Sequence, residues 1–108
     1  MTLNSTSYAV LQVLKSKCEN SKKITFVSGT FNIVHPGHLR LLRFAAECGD
    51  FLVVGVLNDP LAQNSQLNQN MRLDGVAAIG CVDYAFILNE APAAFIETLC
   101  PAVVVKGK

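Results

Sequence analysis

The chain is expected to fold as an α/β domain, with a parallel sheet of about four strands between two layers of helix. Three observations point there. Short apolar runs of strand length alternate with segments whose apolar residues recur at helical spacing. One run, Phe51–Leu57 (FLVVGVL), is apolar without a break, as a strand covered on both faces requires. The polar residues richest in chemistry follow directly after such runs, and open parallel sheets bind ligands beyond the carboxyl ends of their strands. A Rossmann-like three-layer α/β/α arrangement with right-handed crossovers follows.

Each element has a local reason. Leu11, Leu14 and Cys18 recur at helical spacing in Ser7–Cys18, predicting an amphipathic opening helix with a polar start. Glu19–Lys23 is a charged turn. Ile24–Ser28 (ITFVS), β-branched and aromatic, is a buried strand ending at Gly29. Pro36 suits the first turn of a helix whose buried face is Leu41, Leu42, Ala45 and Cys48, and Gly49 stops it. Phe51–Leu57 is the second strand. Asn58–Asn70 is polar, rich in amides and loop-like. Met71–Gly80 carries Leu73, Val76 and Ala77 at helical spacing, and Tyr84–Leu88 is a third strand. Asn89 is placed to cap a short helix with Pro92 in its first turn and Phe95, Ile96 and Leu99 facing inward. Pro101 ends that helix, and Ala102–Val105 is the fourth strand. No internal repeat or low-complexity tract interrupts the order.

Composition narrows the function. With 108 residues, 51% hydrophobic and 16% charged, the chain suits one globular domain, residues 1–108. A net charge of +1 gives no broad electrostatic grip on nucleic acid or an anionic membrane, so neither is expected as a partner. A small anionic ligand needs only a local cluster of donors. No signal peptide is visible in Met1–Ser7, and apolar stretches are too short to span a membrane, so a cytoplasmic location is expected. Cys18, Cys48, Cys81 and Cys100 form no CxxC pair and lie far from both histidines, which argues against a zinc site. They are expected to be reduced, mostly buried small residues.

The segment Gly29-Thr30-Phe31-Asn32-Ile33-Val34-His35-Pro36-Gly37-His38 joins the first strand to its helix. Gly29 is expected to let the backbone turn and approach a ligand closely. The helix start offers unpaired N–H groups and the positive end of a dipole, a site for phosphate. His35 and His38 flank Pro36-Gly37, so both imidazoles can lie at that helix mouth, and Gly37 has no side chain to separate them. Two imidazoles there can donate to phosphate oxygens as charge builds in an in-line transfer. Neither a GxGxxG dinucleotide fingerprint nor a P-loop is present.

Gly-Thr-Phe-Asn-x-x-His-Pro-Gly-His resembles the HxGH signature of the cytidylyltransferase-like nucleotidyltransferases. The resemblance runs in order through residues 22–107, after an N-terminal helix and turn in 1–21. Leu39–Asp50 is similar to the family's first helix with its closing Gly-Asp, and Val54–Asp59 to its second strand. Arg72 through Asp83 is similar to its arginine-led helix running into Val-Asp. Pro101–Gly107 (PAVVVKG) resembles a strand end of the adenylyltransferase part of ADP-heptose synthase. Such a family member transfers AMP or CMP from a nucleoside triphosphate to a phosphate group and releases pyrophosphate. The resemblance implies that His35 and His38 act on the α-phosphate and that Gly29, Thr30, Phe31 and Gly37 line the nucleotide pocket. Arg72 and Lys106 would place positive charge near phosphates or the acceptor. An arginine at a helix start and a lysine after a strand are also common as solvated side chains. Asn58 and Asp59 match the strand-end turn and equally suit simple turn formation. Magnesium would arrive with ATP or CTP, held mainly by phosphate oxygens and water, with no dedicated protein metal site.

Three departures from the family pattern bear on activity. Asn32 stands where the family often has Asp, a near-isosteric change expected to spare the fold. The loop Asn58–Asn70 has no Lys or Arg, where many relatives place a basic residue. The sequence stops at Gly107-Lys108, before the Ser/Thr-rich loop and last helix with which the family binds the β- and γ-phosphates. The chain is therefore expected to be a domain fragment, catalytically poor by itself. The leading expectation is a nucleotidyltransferase core acting on a small phosphorylated acceptor, such as a sugar phosphate. The alternative is a weak nucleotide-binding or partner-binding module, or an interaction domain whose exposed sheet edge promotes a homodimer.

Overall fold

The computed structural model describes residues 5–17, 23–63 and 65–106. The elements are α1 (Ser5–Lys17), β1 (Ile24–Gly29), α2 (Pro36–Glu47), β2 (Phe51–Leu57), α3 (Gln69–Ala77), β3 (Tyr84–Leu88), α4 (Pro92–Leu99) and β4 (Val103–Lys106). All pairings are parallel and the strand order is β3-β2-β1-β4. The chain winds outward from β1 through β2 to β3, then crosses back so that β4 lies on the other side of β1. The strand order therefore reverses at β1, where such sheets open a crevice for ligand. Register aligns the carboxyl ends along one rim: Gly29 pairs with Val56, Leu57 with Leu88, and Ser28 with Lys106.

Strand alternation divides the core in two. Phe26, Val53, Phe86 and Leu88 face Val10, Leu11 and Leu14 of α1 and Phe95 of α4. Val27, Leu52, Val54 and Val56 face Leu42 and Ala45 of α2 and Val76 of α3. The unbroken apolar run of β2 thus has a tertiary cause, since its two sets of side chains enter separate cores. Phe26, Phe86 and Phe95 pack with ring centroids 4.9–6.5 Å apart, suited to tilted aromatic contact. The expected Rossmann-like α/β arrangement is the one observed.

Several local expectations change. Cys18 and most of the 19–23 turn lie outside the described residues. Cys48 and Cys81 are half-buried and Cys100 is exposed, so these thiols are less buried than expected. Asn68, with its side chain accepting from Met71 N–H, caps α3, and the helix starts two residues earlier than its apolar spacing suggests. Ala77 is exposed, and Arg72 takes the buried position instead. Asn89 does not cap α4: the cap residue is Ala91, without a side-chain bond, and Asn89 Oδ1 accepts from Asn58 Nδ2 at 3.0 Å. Gly49 does not stop α2 through a left-handed conformation, since no described glycine has positive φ. It is needed for space, because a Cβ there would lie 2.8 Å from the Lys23 carbonyl oxygen and closer still to Thr25 Oγ1.

The Gly-Asp and Val-Asp pairs of the family resemblance serve the far rim. Asp50 Oδ2 accepts from Lys23 N–H at 2.9 Å, and Asp83 Oδ2 accepts from Leu52 N–H at 2.8 Å. Both carboxylates pin strand beginnings, at the opposite end of the sheet from the signature turn. Among the described residues no helix is long and apolar enough to cross a membrane.

Candidate active site

The turn between β1 and α2 leaves the sheet at the rim where strand order reverses. Its sharpest residue is Phe31, at φ 49°, and not Gly29. A bulky side chain in the left-handed region costs roughly 1–2 kcal/mol, so its surroundings must hold it there. Phe31 is fully buried in the core under α2 and α3. Its ring also meets the His38 imidazole edge-on, with centroids 5.4 Å apart.

His35 and His38 form the N-terminal cap of α2. Gly37 N–H donates to His35 Nδ1 at 3.0 Å, and His35 N–H donates to His38 Nδ1 at 3.3 Å, a reciprocal capping box built from two histidines. The rings stack, with centroids 4.0 Å apart and planes 29° from parallel. Because Nδ1 of each ring accepts a backbone proton, each neutral imidazole carries its own proton on Nε2. Two Nε2–H donors thus sit at a helix N-terminus, whose dipole favours an anion. The unpaired N–H groups expected there are instead taken up by the cap, since Gly37 N–H donates to His35 Nδ1 and the N–H groups of His38 and Leu39 donate to His35 O. Gly37 is required by this stack, since a Cβ there would lie 2.7 Å from His35 Cε1 and 3.0 Å from its Nδ1.

Arg72 is neither solvated nor presented at the helix mouth. It is 1% exposed, and its guanidinium is occupied by internal acceptors. Nε donates to Leu67 O at 3.0 Å, Nη1 to Thr30 O at 2.8 Å and Leu57 O at 2.7 Å, and Nη2 to Asp59 Oδ1 at 2.9 Å. The fork ties the signature turn, the end of β2 and the 58–70 loop into one unit. Asp59 is its ionic partner, with a half-exposed side chain. Asn58 shapes the strand-end turn: its Oδ1 accepts from Leu61 N–H, and its own N–H donates to Leu88 O.

Asn32 does work that residue type alone does not reveal. Its Oδ1 accepts from Gln66 N–H at 2.8 Å and Leu67 N–H at 3.0 Å, bridging the turn to the loop. A carboxamide oxygen fills this role as a carboxylate oxygen would, so the Asn-for-Asp departure expected from the family resemblance leaves these two bonds in place. Its Asx-type acceptor chemistry was a signal in the sequence, but its partners lie more than thirty positions away.

Of the sequence-predicted site residues, the structure brings Thr30, Phe31, His35, Gly37 and His38 into one turn, with Gly29 ending β1 beneath it. Lys106 ends β4 in register with Ser28, on the same rim; its side chain lies outside what is described. On the α4 side of this rim is a cavity of about 470 Å³ whose wall is apolar apart from Ser28, with Leu57, Pro92, Ile96 and Val104 among its lining.

A parallel sheet with a histidine-capped helix at its reversal point defines an open α/β domain whose signature turn lies where such sheets bind ligands. The profile of the cytidylyltransferase-like family matches residues 26–108. The chain belongs to that family of nucleotidyltransferases. It is 35% identical over 102 residues to the bifunctional protein HldE of Geobacter metallireducens, covering 88% of this chain and 21% of that protein. It is 37% identical to the bifunctional protein HldE of Campylobacter curvus, covering 91% and 22% of the two chains. Against that of Helicobacter pylori strain J99 the identity is 32%, with 99% and 25% covered. The chain thus spans about a fifth to a quarter of the length of these curated relatives. The lipopolysaccharide core biosynthesis protein of Thermoplasma volcanium superimposes with a TM-score of 0.70 at 25% identity, covering 78% of this chain and 73% of that one.

Proposed function

We propose that this chain is the nucleotide-binding core of an enzyme that transfers AMP or CMP from a nucleoside triphosphate to a small phosphorylated acceptor. In that reaction an acceptor phosphate oxygen attacks the α-phosphorus, and the bond to the bridging oxygen breaks to release pyrophosphate. The observation that carries the reading is the stacked histidine pair with both Nδ1 atoms turned to the backbone. It leaves the two Nε2–H groups as donors for the α-phosphate, and donors fixed before the reaction stabilise charge as it develops in the transition state. Backbone groups of Gly29, Thr30 and Phe31 would line the nucleotide, and Lys106, on the same rim, would supply positive charge. The adjoining cavity would seat the carbon skeleton of the acceptor. Magnesium would enter with the nucleotide, bound chiefly by its phosphate oxygens. A cytoplasmic location fits this substrate.

The resemblance of Pro101–Gly107 to the adenylyltransferase part of ADP-heptose synthase favours ATP and a sugar phosphate. A second reading, a nucleotide-binding module with little turnover, is favoured by the loop Asn58–Asn70, which has no Lys or Arg to meet phosphates. Thermal unfolding with Mg-ATP and with Mg-CTP tests the site, because a ligand that binds only the folded state raises its stability. His38→Ala is expected to shrink the shift, and an equal shift in wild type and variant refutes the assignment. Pyrophosphate release with a panel of sugar phosphates separates the enzyme from the module.

A further inference from the structure

We infer that Arg72 is a positioning residue: it holds the left-handed turn at Phe31 and so aims the His38 imidazole at the nucleotide. The inference rests on the histidine pair being the phosphate site, and goes beyond it by assigning what sets the pair's geometry. Three links carry it. Arg72 Nη1 donates to the carbonyl oxygen of Thr30, which belongs to the peptide unit entering Phe31. That peptide unit leads into the positive φ of Phe31, a conformation an aromatic side chain adopts only where its surroundings enforce it. The Phe31 ring in turn presses edge-on against His38.

The same guanidinium also fixes the other side of the turn. Nε holds Leu67 O, while Leu67 N–H donates to Asn32 Oδ1, directly after Phe31. Phe31 is therefore clamped from both neighbours, Thr30 and Asn32, through one buried cation. A lysine cannot replace this, because an ammonium group lacks the planar fork that reaches acceptors in several fixed directions. Asp59 completes the clamp from a half-exposed position, so it offers a gentler perturbation than removal of the arginine itself.

The test compares Arg72→Lys, Asp59→Asn and Phe31→Leu with Gly49→Ala, which strains the opposite rim of the sheet and serves as a purely structural control. Two quantities are read on each folded variant. One is the Nδ1 and Nε2 nitrogen shifts of His35 and His38 by long-range ¹H–¹⁵N spectroscopy. The other is the dissociation constant for Mg-ATP and Mg-CTP. Wild type is expected to show the Nε2–H tautomer at both histidines. Arg72→Lys and Phe31→Leu should move His38 toward a mixed tautomer and weaken nucleotide binding roughly tenfold, about one well-aimed hydrogen bond. Asp59→Asn should do the same to a smaller extent, and it keeps the test open if Arg72→Lys does not fold. Gly49→Ala should lower the melting temperature with both site readouts unmoved. If the Arg72, Asp59 and Phe31 variants behave like Gly49→Ala, Arg72 is only a structural brace and the inference is overturned. If His38→Ala leaves nucleotide binding intact, the phosphate site itself is misassigned, while the tautomer shifts still judge the positioning role separately.

Discussion

Substituting Gly37 by alanine separates the stability of the α2 cap from its use as a phosphate site. The new Cβ would lie 2.7 Å from His35 Cε1 and 3.0 Å from Nδ1, too close for the ring to stay. His35 is exposed, so its ring can swing into solvent without disturbing the core. The loss is then the bond from Gly37 N–H to His35 Nδ1, an N-cap interaction worth about 1 kcal/mol. Alanine offsets part of it, since it is favoured over glycine by up to about 1 kcal/mol within a helix. The melting temperature should therefore stay within a few degrees, at roughly 4–8 °C per kcal/mol for a domain of this size. Binding behaves differently. A hydrogen bond to a charged group contributes about 1.5–3 kcal/mol, so removing the His35 donor should weaken nucleotide binding by roughly 10- to 100-fold. Gly37→Val should do more, because a branched side chain also crowds the approach to the helix mouth. Calorimetric titration with Mg-ATP and Mg-CTP, alongside thermal unfolding without nucleotide, measures both effects. Unchanged nucleotide affinity in Gly37→Ala would show that the stacked histidines are a helix cap and nothing more.

Other substitutions probe the supporting framework. Arg72→Met should destabilise the chain by about 3 kcal/mol or more in urea unfolding, since it strands Asp59 and three carbonyl groups that the guanidinium now satisfies. Asn32→Ala should cost about 1–2 kcal/mol and speed amide exchange at Gln66 and Leu67, whereas Asn32→Asp should keep both amides protected. Gly49→Ala should lower stability by about 1–3 kcal/mol, because the added Cβ meets backbone at Lys23 that cannot move aside freely.

The sequence by itself determined the order and kind of the elements. A strand declares itself by its neighbours, and β2 and β3 were legible at their observed bounds because β-branched and aromatic runs have few alternatives. The histidine turn was legible for the same local reason: three positions suffice to bring His35 and His38 together at a helix start, and Gly37 lies between them. Polar side chains with distant partners were not. Asn89 looks like a cap for α4 until β2 and β3 pair, which sets the Asn58 amide beside it. Arg72 lies one helical turn before Val76 and so shares its buried face, a hint of inward direction present in the sequence. Its purpose was still hidden, because Thr30 lies 42 positions away and reaches the guanidinium only through the packing of α3 beneath the β1–α2 turn. Left-handed Phe31 is the extreme case, since local sterics favour Gly29 for such a conformation and only the core and the Arg72 clamp make it stable at an aromatic residue. Periodicity and turn chemistry act over a few residues and survive in the linear sequence; the acceptor that a buried donor finds is chosen by which segments the tertiary fold sets side by side.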